Sequence, residues 1–282
     1  MLTAFFIVAG ALTQVVNSNV LRVYQARSVN LFTMNVGNHF AAMILAGAMC
    51  LLGRGLQVTP AVLAVGGITG VFYAASIYPI LLSMGQRGLA MTVAVTNVAQ
   101  LIPCLVGIGL GEHPGRLQIA GMAVAAAAIP LVSLAAATGT AIRERPKIYM
   151  VLLVFVIQGA AMSGNLVAFN TLPAPAIPSY FVILYASGTV VSFLVFDLSR
   201  TRLTAGGFGP GCVFGVLNFL STFTIVTALA YVAGCVFFAA MSVLGLVLSA
   251  ALGAMAWRER IQLWGWAGLA LAVVALVFLN LK

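Results

Sequence analysis

Residues 110–121 read LGEHPGRLQIAG, and residues 257–268 read WRERIQLWGWAG. In both segments a glutamate precedes a short loop and an apolar run, and a glycine stands nine positions after the glutamate. The two glutamates, Glu112 and Glu259, lie 147 positions apart. This matched spacing predicts an internal repeat of about half the chain length, with its signal concentrated in the last two helices of each half, and the repeat decides the predicted fold.

The composition surrounding this repeat is that of a membrane protein. Of 282 residues, 63% are hydrophobic and 6% are charged, and the mean hydropathy is +1.15. A soluble domain carries roughly a quarter charged residues, so this chain has too little polar surface to face water. Apolar runs of about 20 residues, the length that crosses a bilayer as a helix, recur along the chain. The alternating strands of a β-barrel are not seen, and an all-α membrane protein is predicted.

Ten transmembrane helices are expected, five on each side of a polar, basic linker at 139–147 (GTAIRERPK). This division predicts a first repeat over 1–138 and a second over 148–282. Because each repeat has an odd number of helices, the second must enter the membrane from the opposite side. Inverted five-helix repeats of this kind build two gates around a midplane site in many transporters. The predicted spans are 2–21, 31–52, 59–84, 89–111, 117–138, 148–170, 178–197, 209–231, 234–256 and 262–280.

The five-plus-five layout, the LGE…G segment and its weaker WRE…G partner resemble the drug/metabolite transporter superfamily, in its ten-helix EamA-like branch. The first helix pair, GALTQVVNSNVL followed by NVGNHF, also resembles the YdcZ-like branch. The resemblance implies a carrier with a central cavity and says little about the substrate. The three tryptophans cluster between positions 257 and 266, as in an interfacial belt, so the resemblance does not extend to a preference for aromatic substrates.

The net charge of +9 does not indicate a nucleic-acid partner, because the basic residues stand singly or in pairs at helix ends. Ten of the thirteen fall in loops after odd-numbered spans. The positive-inside rule then places these loops in the cytoplasm and both termini outside. The family resemblance implies the opposite, with both termini inside.

Amides and other polar side chains recur on single faces of several predicted helices and are candidates for a substrate site. Gln14 and Asn17 share a face of the first helix, Asn97 and Gln100 of the fourth, and polar groups follow the same spacing on the third, sixth and eighth. Two interpretations are open: hydrogen bonds that hold helices together, or one shared polar cavity. The predicted substrate-binding residues are Gln14, Asn17, His39, Tyr73, Asn97, Gln100, Gln158, Asn165 and Asn218.

His39 is the only histidine in a predicted span, and it could couple transport to protons, contact substrate, or simply bond to a neighbouring helix. No Asp, Glu, Lys or Arg stands in the middle of a span. An uncharged cavity suits a neutral or zwitterionic metabolite such as an amino acid. We therefore predict a multi-pass carrier, in the direction of export, in a bacterial-type inner membrane. A flippase, or a carrier of lipid-linked or sugar-type substrates, is the alternative.

Other functions find little support in the sequence. No nucleophile stands in a G-x-S-G context, and the two histidines and few carboxylates form no metal set, so neither an enzyme nor a metal or other cofactor is predicted. The expected partners are the small-molecule substrate and the lipid bilayer, with the chain a monomer or weak dimer. Glu112 is expected to form a loop salt bridge or, alternatively, a gate latch. The pairs Gly66/Gly70 and Gly107/Gly111 are expected to mark close helix contacts.

Overall fold

The computed structural model describes residues 2–53, 55–87, 89–136, 148–198, 202–256 and 263–281. Within these ranges the chain forms α-helices and no strand. Among the described residues, six helices are long and apolar enough to cross a bilayer, as expected of an all-α membrane protein. The helices are α1 Leu2–Ala26, α2 Leu31–Leu52, α3 Pro60–Arg87, α4 Leu89–Ala99, α5 Leu101–Gly109, α6 Arg116–Ala136, α7 Ile148–Thr171, α8 Ile177–Leu198, α9 Ala205–Leu229, α10 Gly234–Ala256 and α11 Leu263–Asn280.

The predicted span 89–111 is two helices, because α4 ends at Ala99 and α5 begins at Leu101. Pro103 explains the break: it has no N–H to bond the Ala99 carbonyl, and its ring crowds that oxygen. At the junction the Gln100 N–H instead donates to the Asn97 carbonyl at 3.2 Å, one residue nearer than in an α-helix. Gln100, the single residue between the two helices, keeps right-handed helical backbone angles (φ −69°, ψ −9°).

Each of the other predicted spans corresponds to one helix, and the bounds predicted for the second, 31–52, coincide with those of α2. Ten crossings and the inverted repeat remain predictions. The linker 139–147 and residues 257–262, which hold Glu259, lie outside the described residues. Most of the basic residues that predicted the orientation also lie outside them.

The chain divides into two compact packing units. Unit 1 comprises Met1–Val15, Pro79–Gly159 and Thr227–Lys282, and unit 2 comprises Val16–Tyr78 and Ala160–Val226. The boundaries fall inside α1, α3, α7 and α9, so each of these helices contributes residues to both units. Each unit draws on both predicted repeats, and the repeat boundaries themselves stay a prediction.

In unit 1, α6 packs against α11, and α10 contacts α4, α5, α6 and α11. Small residues allow the close approach of α6 and α11: Ala125, Ala128, Ala272 and Ala275 are all fully buried. Gly121 adds to this contact, because a Cβ there would lie 3.0 Å from Leu279. Helix pairs in membranes associate through such small residues, since lipid supplies no hydrophobic drive between helices.

In unit 2, three glycines one turn apart on α9 bring this helix onto the backbone of α2. They are Gly207, Gly211 and Gly215, and a Cβ at each would collide with Thr33, Met34 and Asn38 respectively. The sequence analysis did not single out this stripe, although its four-residue spacing is the usual signal for helix contact.

Close helix contacts were predicted at two pairs of glycines, and the structure agrees with one pair and disagrees with part of the other. Gly66 and Gly70 of α3 lie against the backbone of α8 at Tyr180 and Leu184, so the predicted helix contact is confirmed. For Gly107/Gly111 the prediction is wrong at Gly111, which has φ +95° and no neighbour within 4 Å of a Cβ position. That glycine terminates α5 in the left-handed conformation that residues with a Cβ rarely adopt.

Candidate functional site

Asn165 of α7 is the centre of a buried hydrogen-bond network in unit 2. Its Nδ2 donates to the Tyr73 hydroxyl of α3 at 2.7 Å, and its Oδ1 accepts from the Tyr180 hydroxyl of α8 at 2.9 Å. All three side chains are buried. The two tyrosines thus fix both ends of the amide, and three helices are joined at one point.

A second set of hydrogen bonds in unit 2 joins α8, α9 and α2. The Tyr185 hydroxyl donates to Thr222 Oγ1 at 2.9 Å, and Thr222 in turn donates to the Asn218 carbonyl at 2.9 Å. The Asn218 side chain donates to Asn38 Oδ1 of α2 at 3.2 Å. Tyr73 and Asn165 thus belong to one set of hydrogen bonds in unit 2, and Asn218 belongs to another that includes Tyr185, Thr222 and Asn38.

His39 lies beside Asn38 and is fully buried. Its Nδ1 lies 3.0 Å from the Asn35 carbonyl and 3.2 Å from Ser192 Oγ of α8. Nδ1 also lies 3.4 Å from Nδ2 of Asn38, which can only donate. The contact with the Asn35 carbonyl is shorter, and a carbonyl oxygen can only accept, so we assign the hydrogen to Nδ1 and the lone pair to Nε2. Nε2 has no hydrogen-bond partner among the described residues. The ring fits against Gly188, where a Cβ would collide with it.

Asn35 presents a second unpaired acceptor one helical turn before His39 on α2. Its Nδ2 donates to the Ala74 carbonyl at 3.3 Å and to the Tyr78 hydroxyl at 3.2 Å. Its Oδ1 is buried and finds no partner in the described part of the chain. The sequence analysis omitted Asn35, although its i, i+4 spacing to His39 placed the two on one face of the helix.

The nine predicted residues are distributed over both units. Asn17, His39, Tyr73, Asn165 and Asn218 belong to unit 2, and Gln14, Asn97, Gln100 and Gln158 belong to unit 1. Asn17 Oδ1 is a further buried oxygen without a partner among the described residues. The single cavity that all nine residues were predicted to line remains a prediction.

In unit 1, the polar contacts centre on Asn97 of α4. The Gln14 side chain of α1 donates to Asn97 Oδ1 at 3.1 Å, and Ser242 of α10 donates to the Asn97 carbonyl at 2.8 Å. Gln100 is buried at the α4–α5 junction, and its Oε1 has no partner in the described residues. Gln158 is half-buried.

The chemistry of these groups is uncharged. No set of three metal-binding His, Cys, Asp or Glu side chains occurs in the described residues. The described cysteines are free, and Cys50, Cys104 and Cys235 are buried, as expected of small packing residues. Amide, hydroxyl and imidazole groups can recognise a ligand through hydrogen bonds, and neither unit supplies a cluster of charged side chains in its described part.

Glu112 contacts the start of α10, and the loop salt bridge and gate latch stay predictions. Its two carboxylate oxygens accept from the backbone N–H groups of Gly234 at 2.8 Å and Cys235 at 2.6 Å, in the first turn of α10. Gly107 leaves room for this carboxylate, because a Cβ there would lie 2.6 Å from Oε2. Glu112 thus caps α10 from a distant loop, and a negative charge at a helix N-terminus is stabilising.

We expect the substitution Glu112→Gln to lower the melting temperature by roughly 4 °C, because it removes the charge and one of two charge-assisted hydrogen bonds. The measurement is thermal unfolding of the purified protein in detergent. Asp197→Asn is the matched control: this exposed acid ends α8, where a negative charge opposes the helix dipole, so its loss should not destabilise. Equal melting temperatures for wild type and Glu112→Gln would contradict the capping role.

Comparisons with known proteins identify the fold only. No protein-family profile and no curated protein matches the sequence. Twenty-four chains of solved structures match. One of them, described only as "Crystal structure of protein", superposes with a TM-score of 0.72 over 98% of this chain and 97% of its own, at 16% identity. Identity this low shows a shared fold and carries no function across.

Proposed function

We propose that the protein is a membrane carrier, of the drug/metabolite transporter type, that exports a small neutral or zwitterionic metabolite such as an amino acid by alternating access. The observation that carries this proposal is a pair of buried acceptors in unit 2, His39 Nε2 and Asn35 Oδ1, which find no hydrogen-bond partner among the described residues. An unsatisfied buried acceptor costs about 1–3 kcal/mol. Such a cost is accounted for if a ligand supplies the missing donors.

The same two side chains indicate what the ligand must offer. The donor hydrogens of Asn35 are both used, on Ala74 and Tyr78, and the imidazole hydrogen of His39 is used on a backbone carbonyl. A ligand at this point therefore meets acceptors and must bring N–H or O–H groups. The ammonium group of an amino acid has three donors and no acceptor, so it complements this arrangement.

The geometry of His39 also supports a carrier over a hydrolase. Ser192 approaches the imidazole at Nδ1, the same nitrogen that contacts the Asn35 carbonyl. In a catalytic triad the nucleophile and the orienting group engage opposite ring nitrogens, so that the histidine can take the proton from one side. Ser192 and His39 lack that arrangement.

The proposal is tested with the full chain purified in detergent and then reconstituted in liposomes. Thermal unfolding is measured with amino acids, nucleobases, sugars and small amines, and the stabilising class is then tested for counterflow. A ligand at a hundred times its Kd should raise the melting temperature by roughly 5 °C or more. If amino acids or a related neutral class stabilise and exchange across the bilayer, the proposal holds. Stabilisation only by lipid-linked compounds, or no counterflow by any class, contradicts it.

The orientation of the carrier gives a separate prediction. Because ten of the thirteen basic residues fall on one predicted side, we expect both termini on the non-cytoplasmic side. Alkaline phosphatase fused at either terminus should be active in cells, and a fluorescent protein fused after Lys282 should stay dark. A fluorescent C-terminal fusion would instead agree with the orientation that the family resemblance implies.

A further inference from the structure

The junction between α4 and α5 in unit 1 leaves backbone oxygens without their usual helical partners. In a continuous α-helix the Ala99 carbonyl would accept a hydrogen bond from the N–H of residue 103. Pro103 has no N–H, so this bond is missing. Ala99 is fully buried, and Gln100 is 2% exposed. The C-terminus of α4 therefore ends inside the protein, with its carbonyl oxygens and the negative end of its dipole away from water.

Two side-chain oxygens from different helices face one position on α10 beside this junction. A Cβ at Gly245 would lie 3.6 Å from Gln14 Oε1 and 3.8 Å from Asn97 Oδ1. The two amides are themselves joined, since Gln14 Nε2 donates to Asn97 Oδ1 at 3.1 Å. Glycine at position 245 thus leaves space next to a pair of buried oxygens.

A further oxygen, Gln100 Oε1, is buried and unpaired within the described residues. Asn97 and Gln100 are three positions apart, so their side chains lie on the same side of the chain at the junction. The backbone carbonyl of Asn97 already accepts two hydrogen bonds, from the Ser242 hydroxyl and from the Gln100 N–H, so it is not among the oxygens left for a ligand. The junction therefore concentrates oxygen acceptors and has no carboxylate, because α1, α4, α5 and α10 contain neither Asp nor Glu.

We propose that the α4–α5 junction binds a monovalent metal cation, Na⁺ or K⁺, through the backbone carbonyl of Ala99 and the side-chain oxygens of Gln100 and Asn97, with the side-chain oxygen of Gln14 contributing from α1. Neutral oxygens suit monovalent ions, whereas Ca²⁺ and Mg²⁺ sites are built with carboxylates. The α4 dipole supplies the compensating negative potential. Interrupted helices whose freed carbonyls hold a cation are the usual device for ion coupling in carriers. This inference goes beyond the proposed function, because it assigns a coupling ion.

The test measures cation binding to the purified full chain in detergent, without any transported substrate. Thermal unfolding is recorded in NaCl, KCl, ammonium chloride and choline chloride at the same ionic strength. We expect NaCl or KCl to raise the melting temperature by about 3 °C over choline, with saturation as the ion is titrated. Failure here would leave the proposed carrier activity unaffected, because that activity is tested by ligand stabilisation and counterflow.

Two variants localise the ion. Gln100→Leu removes the unpaired oxygen and should abolish the Na⁺- or K⁺-specific shift. Gly245→Ala places a methyl group at ordinary van der Waals distance from two of the oxygens, so it should fold normally and still weaken binding at least tenfold. Asn170→Leu, on an exposed position of α7, is the control and should retain the full shift.

Equal melting temperatures in all four salts would overturn the proposal. A cation shift that persists in Gly245→Ala and in any folded Gln100→Leu would place the ion elsewhere and overturn it as well. Stabilisation by ammonium alone would show that the junction binds a cation with N–H donors and not a metal ion, and it would overturn the proposal. If Gln100→Leu does not fold, Gly245→Ala decides the outcome.

Discussion

The substitution Gly211→Ala should lower the melting temperature of the protein by roughly 5 °C, among the larger stability changes expected from adding one methyl group to this chain. Gly211 of α9 lies directly on the backbone of Met34 in α2, and a Cβ there would collide with the Met34 carbonyl. The obstacle is backbone within a helix and cannot rotate away as a side chain could. The two helices must therefore separate, which weakens every contact along their stripe of close approach.

Gly209→Ala in the same helix is the matched control. A Cβ at position 209 has no heavy atom within 4 Å, so alanine should be neutral or stabilise by about 0.5–1 kcal/mol through its better helix propensity. The pair Gly70→Ala and Gly67→Ala on α3 repeats the contrast: position 70 meets Leu184 and Ser187, and position 67 meets nothing within 4 Å. If Gly211→Ala and Gly209→Ala unfold at the same temperature, the α2–α9 contact is not as close as described.

Much of the helical architecture could be predicted, because apolar runs of bilayer length are a strong signal. The bounds of α2 were predicted to the residue, and α7 and α8 to within one residue at either end. The break at Gln100 was missed for a physical reason. Proline is common in membrane helices, and whether Pro103 bends the chain or interrupts it depends on the partners that take up the freed backbone groups. Those partners, Ser242 among them, come from distant parts of the chain.

The sequence predicted which types of residue form the candidate site, but only some of the individual residues. Sequence spacing placed amides on common faces and so found Asn97, Gln100 and Asn165. It could not tell which amides have both ends bonded. Asn165 is satisfied by two tyrosines, whereas Asn35 and His39 each keep one atom unpaired. That distinction depends on tertiary neighbours, and it separates polar groups that hold helices together from those available to a ligand.

Asn165→Leu tests a polar group that holds helices together. It removes two hydrogen bonds and leaves the hydroxyl of Tyr180 without its acceptor, so stability should fall by about 2–4 kcal/mol. A side chain that only lined a cavity would instead lose transport with little change in melting temperature. With both ends of the amide bonded, we expect the melting temperature to fall, and transport to fall with it.

His39→Asn tests a polar group that is available to a ligand, and it should give the largest effect on activity. The shorter amide keeps a donor near the position of Nδ1, which bonds the Asn35 carbonyl, and it deletes Nε2. Because Nε2 has no protein partner among the described residues, the melting temperature should change little. Transport of the compound that stabilises the wild-type protein should fall roughly tenfold or more, the loss expected for one hydrogen bond to a charged donor. Initial rates in proteoliposomes and ligand-dependent melting give the two readouts.

Ser192→Ala is the control, since it removes a contact at Nδ1 and leaves Nε2 in place. Normal transport by folded His39→Asn, or an equal loss in Ser192→Ala, would show that the unpaired imidazole nitrogen does not contact the substrate.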